Sequence, residues 1–529
     1  MKRRFFIASG TVAALTAAAP AAALAPRASL RDKLATRAES SDYAQTSSYA
    51  DLQDFLDALD KRGAPIVRGV LGTSQEGREI PYVVAARPRV GTVEEARALG
   101  RAIVLVQANM HGDDVDGKEA ILAVLRDFCL ATDKTLLEDI VLVVVPSLNP
   151  DGNERAGAGS RENGQGLDLN ADFVKLETPE TRALLSFVRA WKPDVFIDLQ
   201  TGRESFDDFN LTYAPSLHPA AFYGGAYARD KMLPAIHAEL REKFGVETFA
   251  AGNFGRTRPL VAPAPATDAS EYGWFAPDYR PRAASNYMGL RGPVALAVAS
   301  HPLDTLERRI YATRAFVESA LGYTSEHDDD ITGVVATATR WLGGTLPVRA
   351  AYPAQAPSRE NISWENLALS PQAREPGVPA GFKRTGTFSS AAMPVYDRYV
   401  GTTYVTQPNA YVIPYEHAAL LRPLLDLHGV IHETSIDAHM IRVSDYVVDR
   451  LERSESPYEH HRVVDLAGHW QPITSYVARF GALLVPTNQP LGPLLSVLLE
   501  PESDDGFFLW NVFDSVLRVG YSTPVLRML

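Results

Sequence analysis

A histidine and a carboxylate stand three residues apart in Arg101–Ala120, RAIVLVQANMHGDDVDGKEA, and both could reach one metal ion. The apolar run Ala102–Val106 reads as a buried strand, and Gly117–Leu130 as a helix whose apolar face carries Ala120, Ile121, Val124, Leu125 and Phe128. His111, Asp113 and Asp114 fall in the polar, Gly-containing turn between them. Open α/β sheets hold their chemistry there, just past the carboxyl end of a strand. Hydrolytic zinc takes three protein ligands and leaves a fourth position to water. His111 and Asp114 supply two, and a third is expected at the end of another strand. The run Val195–Leu199 is that strand, and it leads into Gln200, whose neutral amide oxygen is a poor zinc ligand.

The elements that must position these residues alternate. Tyr49–Leu59 reads as an amphipathic helix, Ile66–Leu71 and Ile80–Ala86 as a hairpin around GTSQEG, and Ile140–Val145 as another buried strand. Thr178 then caps a helix that has Pro179 in its first turn and runs to Trp191. A helix over about 221–244, a strand at Val294–Ala299 and a helix at Leu306–Leu321 follow. Strands and helices in this order predict an α/β fold, a mixed or parallel sheet flanked by helices. The acidic run EHDDD marks a break at about 322–330. Beyond it, short Val-, Thr- and Tyr-rich runs (Leu346–Tyr352, Tyr399–Thr406, Ile441–Val448) and one helix, Tyr415–Leu427, predict a smaller, strand-rich second domain.

Composition narrows the class. The 529 residues are 46% hydrophobic and 22% charged, with a formal net charge of −12, which suits a globular chain of more than one domain. No basic cluster interleaves with aromatics, so nucleic acid is not an expected partner. MKRRFFIASG followed by an alanine-rich stretch reads as an export signal, and Arg3-Arg4 before Phe5-Phe6-Ile7 resembles a bacterial twin-arginine signal. Export places the protein in the periplasm or outside the cell, with no transmembrane anchor after cleavage. The sole cysteine, Cys129, reads as a buried structural thiol.

Several blocks, in order, resemble the M14 zinc carboxypeptidase family: GTSQEGREIP at 72–81, NMHGDD…GKEA at 109–120, SLNPDGNER at 147–155, GLDLNADFVK at 166–175, WKPDVFIDLQT at 191–201, NYMGLRG at 286–292 and ALAVASHPL at 295–303. The resemblance implies an eight-stranded-type mixed sheet flanked by helices. It also divides the chain into a signal (1–25), a linker (26–46), a zinc carboxypeptidase-like domain (47–325) and a strand-rich accessory domain (331–529). It implies zinc as cofactor, held by a His-x-x-Glu pair and a later His. His111 fits the first position, Asp114 stands for the Glu and Gln200 for the second His. The arginine that would polarise the scissile carbonyl falls on Arg161, with Arg155 as alternative. The pair that would clamp a substrate carboxylate falls on Asn170 and Ala171, so its arginine is missing, and the general-base glutamate falls on Ala299.

Metal, base and clamp are altered together. General-base catalysis alone is worth about 10²–10⁴-fold. The expectation is therefore a carboxypeptidase-like protein, impaired or inactive in hydrolysis and without firm zinc occupancy, that binds a peptide or cell-wall peptide. The competing expectation is an exported metallocarboxypeptidase with an altered metal site. Expected ligand contacts are Arg161, Asn170, Arg282, Asn286 and Tyr287, with Arg280 beside Arg282 as a further substitute for the missing clamp. Asp113, Asp198 and His301 are the residues that could join His111 in a rebuilt site.

Overall fold

Val- and Leu-rich runs without polar alternation form strands only where both faces of the sheet are covered, and the computed structural model has that arrangement. It describes residues 34–131, 136–155, 159–203, 206–256, 272–375, 378 and 380–529. The expected signal and the start of the expected linker lie outside them. Eight strands make the main sheet: β1 (Ile66–Thr73), β2 (Glu79–Ala85), β3 (Ile103–Ala108), β4 (Val141–Val145), β5 (Val195–Thr201), β6 (Leu211–Pro215), β7 (Thr248–Ala250) and β8 (Val294–Ser300). Their spatial order is β1-β2-β4-β3-β5-β8-β6-β7. The strands β4, β3, β5 and β8 run parallel, β1 pairs antiparallel with β2, β2 with β4 and β6 with β8, and β7 is parallel to β6, so the sheet is mixed.

Side-chain alternation sends each strand into two cores. On β3, Val104 and Val106 join the cluster formed with α1 (Tyr49–Lys61), α2 (Val115–Leu130) and α4 (Leu306–Glu326), whereas Ile103 and Leu105 face the other way. That second cluster holds α3 (Pro179–Trp191), and it continues into the C-terminal region through Leu346, Tyr411, Leu425, Leu494, Phe507 and Trp510. The C-terminal half thus packs on one face of the main sheet. It contains a six-stranded sheet and a two-stranded sheet, and its long hairpin, Ser358–Leu369 with Phe382–Tyr396, joins Tyr272–Phe275 and Asn253–Arg256 in a four-stranded sheet.

Thr178 caps α3 as expected, its side chain accepting from Thr181 N with Pro179 next. Two segments differ from expectation. Residues 34–46, expected as linker, are packed in place: Thr36 caps a short helix at Arg37–Ser40, Ala38 is fully buried, and Glu39 pairs with Arg126. The acidic run at 322–330 is no gap between elements. The helix α4 extends through it to Glu326, and a further helix starts at Asp328, with three aspartates in a first turn that favours negative charge.

At the junction of the two halves lies His428, fully buried, with Tyr287 Oη donating to Nδ1 at 2.6 Å and Nε2 donating to the Val174 carbonyl at 3.2 Å. Burial, reinforced by the Arg291 charge, pushes its pKa down to about 3. The folded chain therefore holds it neutral, while an unfolded chain protonates it near the ordinary value of about 6.5. Its contribution is complete above about pH 6.5 and is lost as pH falls toward 3. His428→Gln is expected to remove up to about 1.4 kcal/mol per pH unit from the acid slope of stability. Denaturant unfolding at about pH 7.5 and about pH 5 checks this; equal slopes in the two proteins would contradict it.

Candidate functional site

The turn after β3 is fixed by Asn109, which takes a left-handed conformation (φ 51°) that Asn tolerates better than most residues. Its Nδ2 donates to the carbonyls of His111, Gly112 and Asp114 at 3.0, 3.1 and 3.3 Å, and its Oδ1 accepts from Ser147 Oγ at 2.6 Å. Gly112 is required because a Cβ there would stand 2.1 Å from the Gly152 carbonyl carbon. At the start of α2, Asp116 is buried and accepts from Thr201 Oγ1 and Ser300 Oγ, with Arg309 at 3.3 Å. One carboxylate thereby ties the helix to the ends of β5 and β8.

His111 is buried between two carboxylates. Its Nδ1 lies 2.7 Å from Asp114 Oδ2 and its Nε2 lies 3.0 Å from Asp168 Oδ1. Asp168 also caps the turn Leu169–Ala171, accepting from Asn170 N at 2.8 Å, and its other oxygen accepts from Arg161 Nε at 2.7 Å. Burial alone would hold the imidazole neutral, but the charges and hydrogen bonds of Asp114 and Asp168 outweigh it and raise its pKa to about 9. That shift favours the doubly protonated ring near neutral pH, with both nitrogens donating to carboxylates. His111, with its Arg161 partner, holds the Asp168 carboxyl well below the usual carboxylate range, against the burial that would raise it.

Gln200 and Ala299 sit side by side in register on β5 and β8. Gln200 Nε2 donates to Asp198 Oδ2 at 2.5 Å, and Gln107 Nε2 donates to Asp198 Oδ1 at 3.1 Å. Burial raises the Asp198 carboxyl to about 7, although Gln200 and the His111 charge oppose the shift. A zinc ion, which the fold implies, does not fit these residues. Two donors bound to one tetrahedral zinc at about 2.1 Å lie roughly 3.4 Å apart. His111 Nδ1 and Asp114 Oδ2, at 2.7 Å, are instead at the distance of two atoms sharing a proton. Asp168 on the other His111 nitrogen is the partner a metal-bound histidine ordinarily has, but the Gln200 amide is turned to Asp198 and supplies no third ligand. Among the described residues, no group of three or more His, Cys, Asp or Glu side chains is placed to hold a metal ion.

The other expected residues separate into those at this cluster and those elsewhere. Arg161 is at the cluster, and Asn170 stands beside it, its Oδ1 accepting from Ala284 N at 2.9 Å. Arg282 is locked by buried Asp505, at 2.8 Å from Nη2 and 3.0 Å from Nε, and lies over Trp510. Asn286 is buried and holds the backbone of Leu217, Asp278 and Arg280, while Tyr287 is fully buried against His428. Arg282 is thus held by an ion pair, Asn286 by backbone contacts and Tyr287 by its bond to His428. Arg280 pairs with Asp278, Asp113 with Arg203 and Arg155 with Glu76, while His301 makes a backbone contact with Asn210. Two functional residues lacked individual sequence assignments. Asp168 lies inside the recognised block GLDLNADFVK. Glu459, whose carboxylate accepts from Asp168 N at 3.0 Å, lies 291 residues away and has no local signal.

Comparison with known proteins agrees with this architecture. Residues 52–215 match the family model described as zinc carboxypeptidase. Carboxypeptidase D of Homo sapiens is 34% identical over 128 residues, 22% of this chain and 9% of that protein. The chain spans about a tenth of the length of the carboxypeptidase D relatives it matches. Carboxypeptidase 2 of Trichophyton tonsurans is 23% identical over 478 residues, 86% of this chain and 81% of that one. A metallo-carboxypeptidase structure from Burkholderia cenocepacia aligns over 53% of this chain and 70% of that one, at 17% identity and a TM-score of 0.40. The family match and the mixed sheet together define a zinc carboxypeptidase-like fold.

Removing one carboxylate leaves a buried cation half paired, a change that costs about 3–5 kcal/mol. Asp114→Asn is therefore expected to destabilise the protein by about 3 kcal/mol, a loss read by denaturant unfolding near neutral pH. The stabilisation that His111 gains from its partners is complete below the unfolded pKa of about 6.5 and is lost as pH rises through about 9. An Asp114→Asn protein as stable as the parent would contradict this account.

Proposed function

We propose that this protein binds peptides, including cell-wall peptides, in a carboxypeptidase-like cleft that no longer hydrolyses them. The observation that carries the reading is His111 Nδ1, the nitrogen left for a metal once Asp168 takes Nε2, which stands instead 2.7 Å from Asp114 Oδ2. Hydrolysis of an amide needs an activated water, a base to take its proton and a cation for the oxyanion. Ala299 takes no proton. Arg161, the oxyanion cation implied by the resemblance, is paired with Asp168. A binding site can work without those functions, and the polar groups of this one are kept in order by Asn109, Asp116 and Asp168. The N-terminal MKRRFFIASG supports action in the periplasm or outside the cell. No helix among the described residues is long and apolar enough to cross a membrane.

Metal analysis of the purified protein after dialysis against zinc-containing buffer is the direct test, joined to a peptide-hydrolysis assay. The expected outcome is well under one zinc per chain and no release of carboxyl-terminal residues. The variant Gln200→His/Ala299→Glu/Ala171→Arg is expected to gain zinc. Stoichiometric zinc in the parent, with hydrolysis abolished by a chelator, would overturn the proposal in favour of an active metallocarboxypeptidase with an altered site.

A further inference from the structure

The C-terminal half reaches the candidate site through one turn, Tyr458–His461. Tyr458 N donates to the His461 carbonyl at 2.8 Å, and His461 N returns to the Tyr458 carbonyl at 2.9 Å. Its two middle residues, Glu459 and His460, are both left-handed (φ 48° and 65°), a conformation side-chain-bearing residues adopt only when their surroundings impose it. The surroundings are specific. His461 Nε2 lies 3.0 Å from both Glu177 oxygens, and its Nδ1 lies 3.1 Å from Asn511 Oδ1. Tyr458 lies under the Arg282 guanidinium, 5.4 Å from the ring centre. Anchored on both sides, the turn holds the Glu459 carboxylate on the backbone N–H of Asp168, the residue that also binds His111 and Arg161.

Charge accounting at this end of the cleft is one-sided. Each nearby cation has its own acid: Arg161 has Asp168, Arg282 has Asp505, Arg280 has Asp278, and the buried Lys175 ammonium lies 3.5 Å from Asp172 and 3.7 Å from Glu177. The position where an arginine would receive a ligand carboxylate is Ala171, which is buried. Glu459, by contrast, has a backbone N–H on one oxygen and, among the described residues, no cation within ion-pair distance. Burial raises its carboxyl above the ordinary value; the Asp168 N–H and the Lys175 charge oppose the shift, and the Asp168 and Glu162 charges reinforce it. At the ends of the central strands, Gln107 is fully buried beside Asp198, and its Oε1 has no partner.

We infer that Glu459 determines ligand specificity, and that the cleft takes peptides by an ammonium group rather than by a terminal carboxylate. The inference rests on the peptide-binding reading above and gives it a ligand chemistry. The ammonium is a chain terminus or a basic side chain. A free carboxylate arriving at the same place meets Glu459 and Asp168 and finds no unpaired guanidinium.

Calorimetric titration of the full protein with three probes tests this: trialanine amide (terminal ammonium), an acetylated lysyl dipeptide amide (side-chain ammonium) and acetyl-trialanine (carboxylate only). At least one ammonium probe is expected to bind about tenfold or more tightly than acetyl-trialanine, the size of one charge-assisted hydrogen bond. The stronger of the two identifies the source of the ammonium. Glu459→Gln is expected to abolish the preference, and Glu459→Lys to reverse it. Equal or tighter binding of acetyl-trialanine by the parent overturns the inference, whether or not the variants fold. A preference unchanged in folded Glu459→Gln also overturns it, and in either case peptide binding itself stands. Failure of all three probes to bind overturns the peptide-binding reading and this inference together.

Discussion

One imidazole ring held between two carboxylates is the constraint around which the site is built. His111 is buried, and a lone charge there would be expelled or neutralised. Asp114 and Asp168 keep it charged by accepting from both nitrogens. Each carboxylate is itself placed by a backbone device: Asp114 by the Asn109 turn, Asp168 by its cap on Leu169–Ala171. Arg161 completes the row, so charges alternate in sign from Asp114 through His111 and Asp168 to the half-exposed Arg161. None of these groups can move alone without leaving a neighbour unpaired.

The same row occupies the place where the resemblance puts a metal. A metal site needs donors held apart and turned toward a common point, with their own protons gone. Here the donors meet directly. Gln200 and Ala299 stand in register at the strand ends where further function would be needed, and Gln200 satisfies Asp198. The substitutions form one consistent interior, a proton-bridged polar cluster in place of a coordination sphere.

Much of the framework was legible in the sequence, because apolar runs and caps act locally. The strands β3, β4, β5 and β8 follow from continuous Val, Leu and Ile runs, and α3 from Thr178-Pro179. The placement of His111 and Asp114 past β3 was legible for the same reason, and the departures at Gln200 and Ala299 were visible once their strands were aligned. What was not legible depends on long-range packing. The burial of Tyr287 under His428 and the capture of Arg282 by Asp505 are decided by residues 141 and 223 positions away. The acidic run at 322–330 looked like a break because its charge hides good helix-start chemistry.

The bond between Asp168 and Glu459 spans 291 residues. Closing a flexible loop of that length costs on the order of 5 kcal/mol in chain entropy, far more than one hydrogen bond returns. The turn can reach the site only after the shared core has brought the two halves together. That contact therefore depends on the docking of the two halves, and its presence reports that they have met.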